Sequence, residues 1–255
     1  MIILITMYFF GEISKGSKTE LSHLKLIPYW HRPGGGLQEI FDHMKKKGLK
    51  NFGSLEKEYI EVYVGSLIAL ALEKQDNTDF WIAKTPSQYD PPDIVVMTIK
   101  NSEKVKGATF DAREIEVRRA MSINEELIDG ILKKDENKYP DKYILACFVE
   151  VPGIYDLIAL SKNLAAKLKN IKNVVLVFHG AHIPDITIPL SEKDLLGMIT
   201  IAQVHPVFES HQINILDALR EWRGNAGKLI YTRDAQIWWG KRSNEEEYPK
   251  IINFK

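Results

Sequence analysis

The stretch YDPPDIVVMTIKNSEKVKGATFDAREIEVRRA (residues 89–120) contains two β-strand patterns with a connection between them, and it decides the fold. Residues 93–99 are rich in β-branched side chains and almost entirely apolar, which predicts a strand covered on both faces. Residues 113–120 alternate between apolar and charged side chains, which predicts a second strand with one apolar face. The pair predicts an antiparallel unit inside a sheet.

Carboxylates mark this strand pair. Asp93 stands at the start of the first strand, and Glu114 and Glu116 share the charged face of the second. With a turn at Gly107 the two strands can pair, so we expect the three acids to gather at one rim of the sheet. Carboxylates within about 4–6 Å of one another raise each other's pKa, and a bound cation removes that cost. Mg²⁺ is the expected ion, with Mn²⁺ as a substitute, because magnesium takes oxygen ligands.

The surrounding patterns predict an α/β fold with a mixed sheet and flanking helices. Ser54 is the expected N-cap of a long helix, and Ser122 with Glu125 forms a capping box for another. Residues 142–180 predict a strand–helix–strand unit. The predicted helices cover 37–47, 55–74, 122–134, 155–170 and 212–227, with a further start at 192, and the other predicted strands cover 1–10, 80–84, 142–151, 173–180 and 199–208.

Three further features concern breaks in these patterns. The segment 31–40, with Pro33 and three glycines, predicts a flexible surface loop. Pro152 and Gly153 are expected to end the strand at residue 151. Residues 228–241 predict a hairpin that turns near Arg233 and Asp234.

Size and composition predict one domain of 255 residues, with an N-terminal arm (1–53), a core (54–180) and a C-terminal α+β extension (181–255). Lys plus Arg equals Asp plus Glu at 34 each, so a nucleic-acid partner would require a local basic surface. The single cysteine, Cys147, excludes a disulfide within the chain and favours a cytoplasmic protein. The apolar start is too short to span a bilayer, so no membrane association is expected.

The motif PPD at 91–93, followed by EIE at 114–116 between two helices, resembles the PD-(D/E)XK nuclease superfamily, which includes many restriction endonucleases and Holliday-junction resolvases. The core of that superfamily is a helix, three antiparallel strands, a helix and a further strand, and residues 54–180 follow the same order. The resemblance implies a restriction-endonuclease-like core.

The resemblance also implies roles for individual residues. Asp93 and Glu114 would bind the metal, and Glu116 would take the third catalytic position. That position is normally lysine, although some restriction enzymes carry glutamate there, and whether Glu116 acts as a base or as a further ligand stays open. The family's helix acid corresponds to Glu58 or Glu61.

Basic, histidine and aromatic residues supply weaker candidates. Arg113 and Arg118 flank the glutamates, where they would bind phosphate or form ion pairs with neighbouring acids. A second metal site is conceivable from histidines and an aspartate, although surface or capping roles are the simpler interpretation. At most one of two adjacent tryptophans would be free to stack on bases. These residues are His179, His182 and Asp185 for the metal, and Trp238 and Trp239 for stacking.

The predicted function is a divalent-metal-dependent endonuclease that hydrolyses DNA phosphodiester bonds, with a sequence-specific enzyme of the restriction type as one form of it. A homodimer is expected for cutting both strands of a duplex. The alternative is a catalytically inactive nuclease-like module that binds nucleic acid or a protein partner. A third hypothesis is a metabolic α/β enzyme whose site lies away from Asp93.

Overall fold

A computed structural model of the chain describes residues 29–49, 52–85, 92–101, 108–137, 143–182, 198–224, 228–233, 236–241 and 250–252. The helices in these ranges are α1 (Pro33–Lys47), α2 (Lys57–Asp76), α3 (Glu125–Glu136), α4 (Leu157–Lys167) and α5 (Ile215–Gly224), and a 3-10 turn covers Phe52–Ser54. The strands are β1 (Tyr29–Trp30), β2 (Phe80–Lys84), β3 (Ile94–Asn101), β4 (Ala108–Ala120), β5 (Tyr143–Tyr155), β6 (Asn173–His182), β7 (Met198–His205), β8 (Glu209–Asn214), β9 (Lys228–Arg233), β10 (Gln236–Lys241) and β11 (Lys250–Ile252).

Seven of these strands form a mixed sheet in the order β2-β3-β4-β5-β6-β7-β8. The pairs β4–β5 and β5–β6 are parallel, and the remaining neighbours in the sheet are antiparallel. A second sheet has the order β1-β9-β10-β11 and is linked to the first by a bridge between His31 and Ile82. The predicted mixed α/β class with flanking helices is therefore confirmed, as are the antiparallel β3–β4 pair and the parallel β5–β6 pair.

Helices cover both faces of the seven-stranded sheet. One apolar cluster joins α1, α2 and α5 to one face, and a second joins α3 and α4 to the other. Strand β4 contributes Ile115 and Val117 to the first cluster, as its alternating pattern predicts. The β4 side chains that alternate with these two therefore face α3 and α4.

Helix α2 packs very closely on the sheet. It is apolar over most of its surface, as a helix buried between another helix and a sheet must be. Gly65 lies against β3, where an added Cβ would be 2.6 Å from Cγ2 of Ile94. This close approach brings the first turn of α2 to the start of β3, which is the region that contains Asp93.

The predicted loop at 31–40 is wrong, because α1 already begins at Pro33. Proline suits the first turn of a helix, where its missing N–H has no helical acceptor. An added Cβ at Gly36 would be 2.5 Å from Oγ of Ser66 and 2.8 Å from Cδ1 of Ile82. Gly36 thus allows α1 to approach α2 and β2, which local sequence patterns do not reveal.

The two predicted caps are also wrong. Helix α2 begins at Lys57 with Glu56 as the N-cap residue, and Ser54 lies in the preceding 3-10 turn. Helix α3 is capped by Asn124, whose side chain accepts a hydrogen bond from the N–H of Leu127 at 3.1 Å. An asparagine two residues nearer the helix therefore replaces the serine cap.

Two strand boundaries differ from expectation. Strand β5 continues through Pro152 and Gly153 to Tyr155, because a register shift against β6 accommodates the irregular segment. Residues 209–214 form β8, so the predicted helix over 212–227 is shorter and begins at Ile215. The hairpin at 228–241 is confirmed by the pairing of β9 with β10. The predicted strand at 1–10 and the predicted helix start at 192 lie outside the described residues.

Substitution of Gly65 by alanine should destabilise the protein by about 1–3 kcal/mol, because the new methyl group overlaps Ile94. The matched control is Gly130→Ala in α3, where the nearest atom to an added Cβ is Nη1 of Arg118 at 3.6 Å. That control should raise the free energy of unfolding by about 0.5–1 kcal/mol, because alanine favours a helix more than glycine does. Urea unfolding measures both, and equal effects of the two substitutions would contradict the packing described for α2.

Candidate functional site

An open cleft lies where the first turn of α2 meets the end of β2 and the start of β3. Its volume is about 400 Å³. Acidic and basic side chains dominate its lining, and among the described lining residues four acids face two lysines. The lining residues are Glu56, Lys57, Glu58, Glu61, Lys84, Thr85, Pro92 and Asp93.

Asp93 is held firmly at the rim of the sheet. The residue is only 6% exposed, and its Oδ2 accepts a hydrogen bond from the N–H of Val117 at 2.7 Å. The Asp93 main chain donates to the carbonyl of Ile115 at 3.0 Å. The second oxygen, Oδ1, lies 3.4 Å from Nζ of Lys57. The aspartate therefore points toward the N-terminus of α2.

Glu61 supplies a second buried carboxylate from α2. It is 3% exposed, and it lies one helical turn beyond Lys57, so the two side chains share a face of the helix. Its Oε1 is 3.3 Å from Nζ of Lys57, and its Oε2 is 3.5 Å from Nζ of Lys84. One ammonium group, that of Lys57, thus contacts both buried acids.

The pKa shifts follow from this arrangement. Burial, followed by the charge of Asp93, raises the pKa of Glu61 above its usual value, while Lys84 and Lys57 act in the opposite direction. Asp93 raises the pKa of Lys57, and burial opposes that shift. Two carboxylates repel each other here, and the lysine charges compensate only in part.

The structure brings three of the predicted acids into this cleft. Asp93 and Glu61 are its buried members, and Glu58 lies at its mouth with a side chain that is 59% exposed. Oε2 of Glu58 is 3.3 Å from Nζ of Lys84. Of the two helix acids left open by the sequence, Glu61 is the one that lies beside Asp93.

The two acids of β4 lie elsewhere. Glu116 accepts a hydrogen bond from Lys134 of α3, on the side of the sheet opposite α2. Glu114 is buried and pairs in register with Tyr143, which belongs to the α3–α4 cluster. Neither Glu114 nor Glu116 is among the described residues that line the cleft, because strand alternation directs the β4 acids to one face while Oδ1 of Asp93 lies beside Lys57 of α2. The expected gathering of the three acids at one rim stays a prediction.

The predicted arginines also lie outside the cleft. Arg113 is buried, with Nη2 at 3.8 Å from Oδ2 of Asp76 near the end of α2. Arg118 donates from Nη1 to the carbonyl of Gly130 in α3 at 3.1 Å. Arg118 lines a separate cavity of about 230 Å³ at the C-terminal end of β4. Both arginines therefore have acceptors within the protein.

The remaining candidates show no shared site among the described residues. His179 is buried, with Nε2 at 3.1 Å from the hydroxyl of Tyr63. Asp185 lies outside the described residues, as do the side chains of His182, Trp238 and Trp239. In the described ranges, no group of three His, Cys, Asp or Glu residues has an arrangement that holds a metal. Burial raises the pKa of the Cys147 thiol to about 12, which agrees with an inert core cysteine.

Sequence reasoning missed Lys57, Lys84 and Thr85. The first of these carries a weak signal, because Lys57 and Glu61 have the i, i+4 spacing of a helical ion pair. Lys84 ends β2 and Thr85 follows it, and nothing in their local sequence indicates that they lie beside Asp93. Their position follows from the pairing of β2 with β3.

Comparison with family models, with curated proteins and with solved structures found no match to this chain. Within the described ranges, none of the helices has the length and apolar character needed to cross a membrane. The function must therefore be argued from the geometry of the cleft.

Replacing Glu61 by glutamine should stabilise the metal-free protein at pH 7. The folded-state pKa of Glu61 is raised, so the protein loses stability as the pH rises through that pKa. The loss arises because the ionised carboxylate is buried in the folded state and solvated in the unfolded state. The advantage of Glu61→Gln should disappear at acid pH, below the ordinary glutamate pKa of 4.5, because the wild-type carboxyl is then neutral in both states. Chemical denaturation across this pH range measures the difference.

Glu58→Gln is the matched control, because its side chain is mostly exposed and should change stability little. A loss of stability in Glu61→Gln at pH 7 would contradict this account. It would mean that the ion pairs with Lys57 and Lys84 outweigh the cost of burial.

Proposed function

We propose that the chain is a divalent-metal-dependent nuclease that hydrolyses DNA phosphodiester bonds at the cleft between α2 and β3. The observation that carries the proposal is the pair of buried carboxylates, Asp93 and Glu61, that face one open cleft with a single lysine ammonium contacting both. Titratable groups that are buried together in a cleft, with at least one perturbed pKa, are typical of functional sites.

The cleft suits a hard divalent cation. The excess of two negative charges among its described lining residues matches one such ion, and Asp93 with Glu61 would hold it. Mg²⁺ is commonly bound by one or two carboxylates and retains several waters, so two buried acids are a sufficient protein contribution. When bound, the ion would polarise a phosphodiester and lower the pKa of a coordinated water.

The lysines of the cleft have complementary roles in the proposal. The Lys57 side chain is 66% exposed, so its ammonium group can leave the two carboxylates for solvent when a cation binds. Lys84 lies between Glu58 and Glu61, where its charge favours the approach of a phosphate group. Hydrogen bonding from Val117 keeps Asp93 oriented whether or not a ligand is present.

The order of elements supports a restriction-endonuclease-like core. From α2 through β2, β3, β4 and α3 to β5, the chain follows the helix, three strands, helix and strand of the PD-(D/E)XK superfamily. Asp93 precedes β3, and Glu61 stands in the helix that comes first. The proposal departs from the family's pattern at β4, whose acids Glu114 and Glu116 do not line the cleft. Cutting both strands of a duplex requires two such sites, so a homodimer is part of the proposal.

A second candidate function is a nuclease-like module that binds nucleic acid or a protein partner without cleaving it. The observation that favours it is the apolar character of β4 beside Asp93. Ile115 and Val117 are buried in the α2-side core and supply neither a third ligand nor a lysine. The two functions predict different behaviour with divalent ions.

The nuclease proposal predicts that Mg²⁺ or Mn²⁺ raises the melting temperature and that either ion supports cleavage of plasmid DNA. A ligand at 100 times its Kd stabilises a protein by about 2.7 kcal/mol. Asp93→Asn should abolish both effects, since it removes a carboxylate while an oxygen remains to accept the Val117 hydrogen bond. Calorimetric melting and an agarose-gel assay supply the measurements.

Glu116→Gln is the control, because that side chain pairs with Lys134 away from the cleft and should leave metal-dependent stabilisation intact. An equal loss in Glu116→Gln would place the working acids on the other face of the sheet. Absence of cleavage with every divalent ion, together with salt-sensitive DNA binding, would support the non-catalytic module.

A further inference from the structure

Thr85 is a buried residue that lines the acidic cleft. Thr85 is 4% exposed, and its main-chain N–H donates to the carbonyl of Asp93 at 3.0 Å. Its Oγ1 is buried and makes no hydrogen bond with the part of the chain that the structure describes. A buried hydroxyl without a partner costs stability, so the described part of the chain gives no reason for a hydroxyl at this position.

Other buried threonines in the same sheet behave differently. Oγ1 of Thr98 donates to the carbonyl of Asp79 at 2.8 Å, and Oγ1 of Thr200 donates to the carbonyl of Gly180 at 2.8 Å. Each of these hydroxyls has a hydrogen-bond acceptor within the protein, as buried polar groups generally do. Thr85 departs from that behaviour at the place where two buried carboxylates also meet.

We infer that Thr85 Oγ1 is a third oxygen of the cation site, hydrogen-bonded to the water shell of a divalent ion held by Asp93 and Glu61. This inference rests on the proposed function, since it concerns the same cleft. The ligand class follows from charge, because the acids among the described lining residues exceed the lysines by two and so favour a cation over a free anion. A hydrated ion presents water hydrogens to which a hydroxyl oxygen can act as acceptor.

The backbone holds Thr85 ready for this role. Thr85 directly follows β2, and its N–H bond to the Asp93 carbonyl extends the β2–β3 ladder by one step. The hydroxyl and the Asp93 carboxylate are therefore carried by the same pair of strand ends. Groups that hydrogen-bond to the ligands of a bound metal typically raise metal affinity, and removing one weakens binding by about 10- to 100-fold.

The test compares Thr85→Val with Thr85→Ser. Valine keeps the shape and removes the hydroxyl, whereas serine keeps the hydroxyl. Titration calorimetry with MnCl₂ should show about 10-fold weaker binding in Thr85→Val and near wild-type binding in Thr85→Ser. The metal-free melting temperature of Thr85→Val should be equal to or above that of the wild type, because no hydrogen bond within the described chain is lost.

Each contrary result has a distinct meaning. If the wild type binds Mn²⁺ and Thr85→Val binds it with the same affinity, the role of Thr85 is overturned and the nuclease proposal stands. A lower metal-free melting temperature in Thr85→Val, with Mn²⁺ affinity unchanged, assigns the hydroxyl a structural role instead. Failure of the wild type itself to bind Mn²⁺ overturns both proposals.

Discussion

The close packing of α2 on β3 is the constraint on which the rest of the site depends. Gly65 lets the helix lie directly against Ile94, and eight residues of helix connect that contact to Lys57. A larger residue at this position would lift the helix from the sheet. The carboxylate of Glu61 would then move away from Asp93, and the cleft would lose its paired acids.

That packing creates an electrostatic conflict which the protein resolves only in part. Burial and mutual repulsion disfavour two ionised carboxylates, and the Lys57 ammonium compensates from a largely exposed side chain. Ion pairs of this kind commonly contribute little to the stability of the fold, because the cost of desolvating the charges offsets their attraction. The arrangement suits a site in which an exchangeable positive charge is part of the function.

Strand β4 separates the acids into two environments. Its period of two sends Ile115 and Val117 toward α2, and it sends Glu116 toward α3. The proposed nuclease function thus rests on element order, on Asp93 and on the helix acid Glu61, while Glu116 of the EIE motif pairs with Lys134. Whether catalysis persists with an apolar strand beside Asp93 is the question that separates the two proposed functions.

The sequence by itself determined the mixed α/β class, the β3–β4 pairing and the two faces of β4, because local periodicity reports which side chains are buried. It also singled out Asp93 and offered Glu61 as one of two helix acids. Only the tertiary structure decided that Lys57, Lys84 and Thr85 join them, since these contacts link α2, β2 and β3 across segments that are distant in the chain. Local patterns carry no information on how closely a helix approaches a sheet, and that distance sets the cleft.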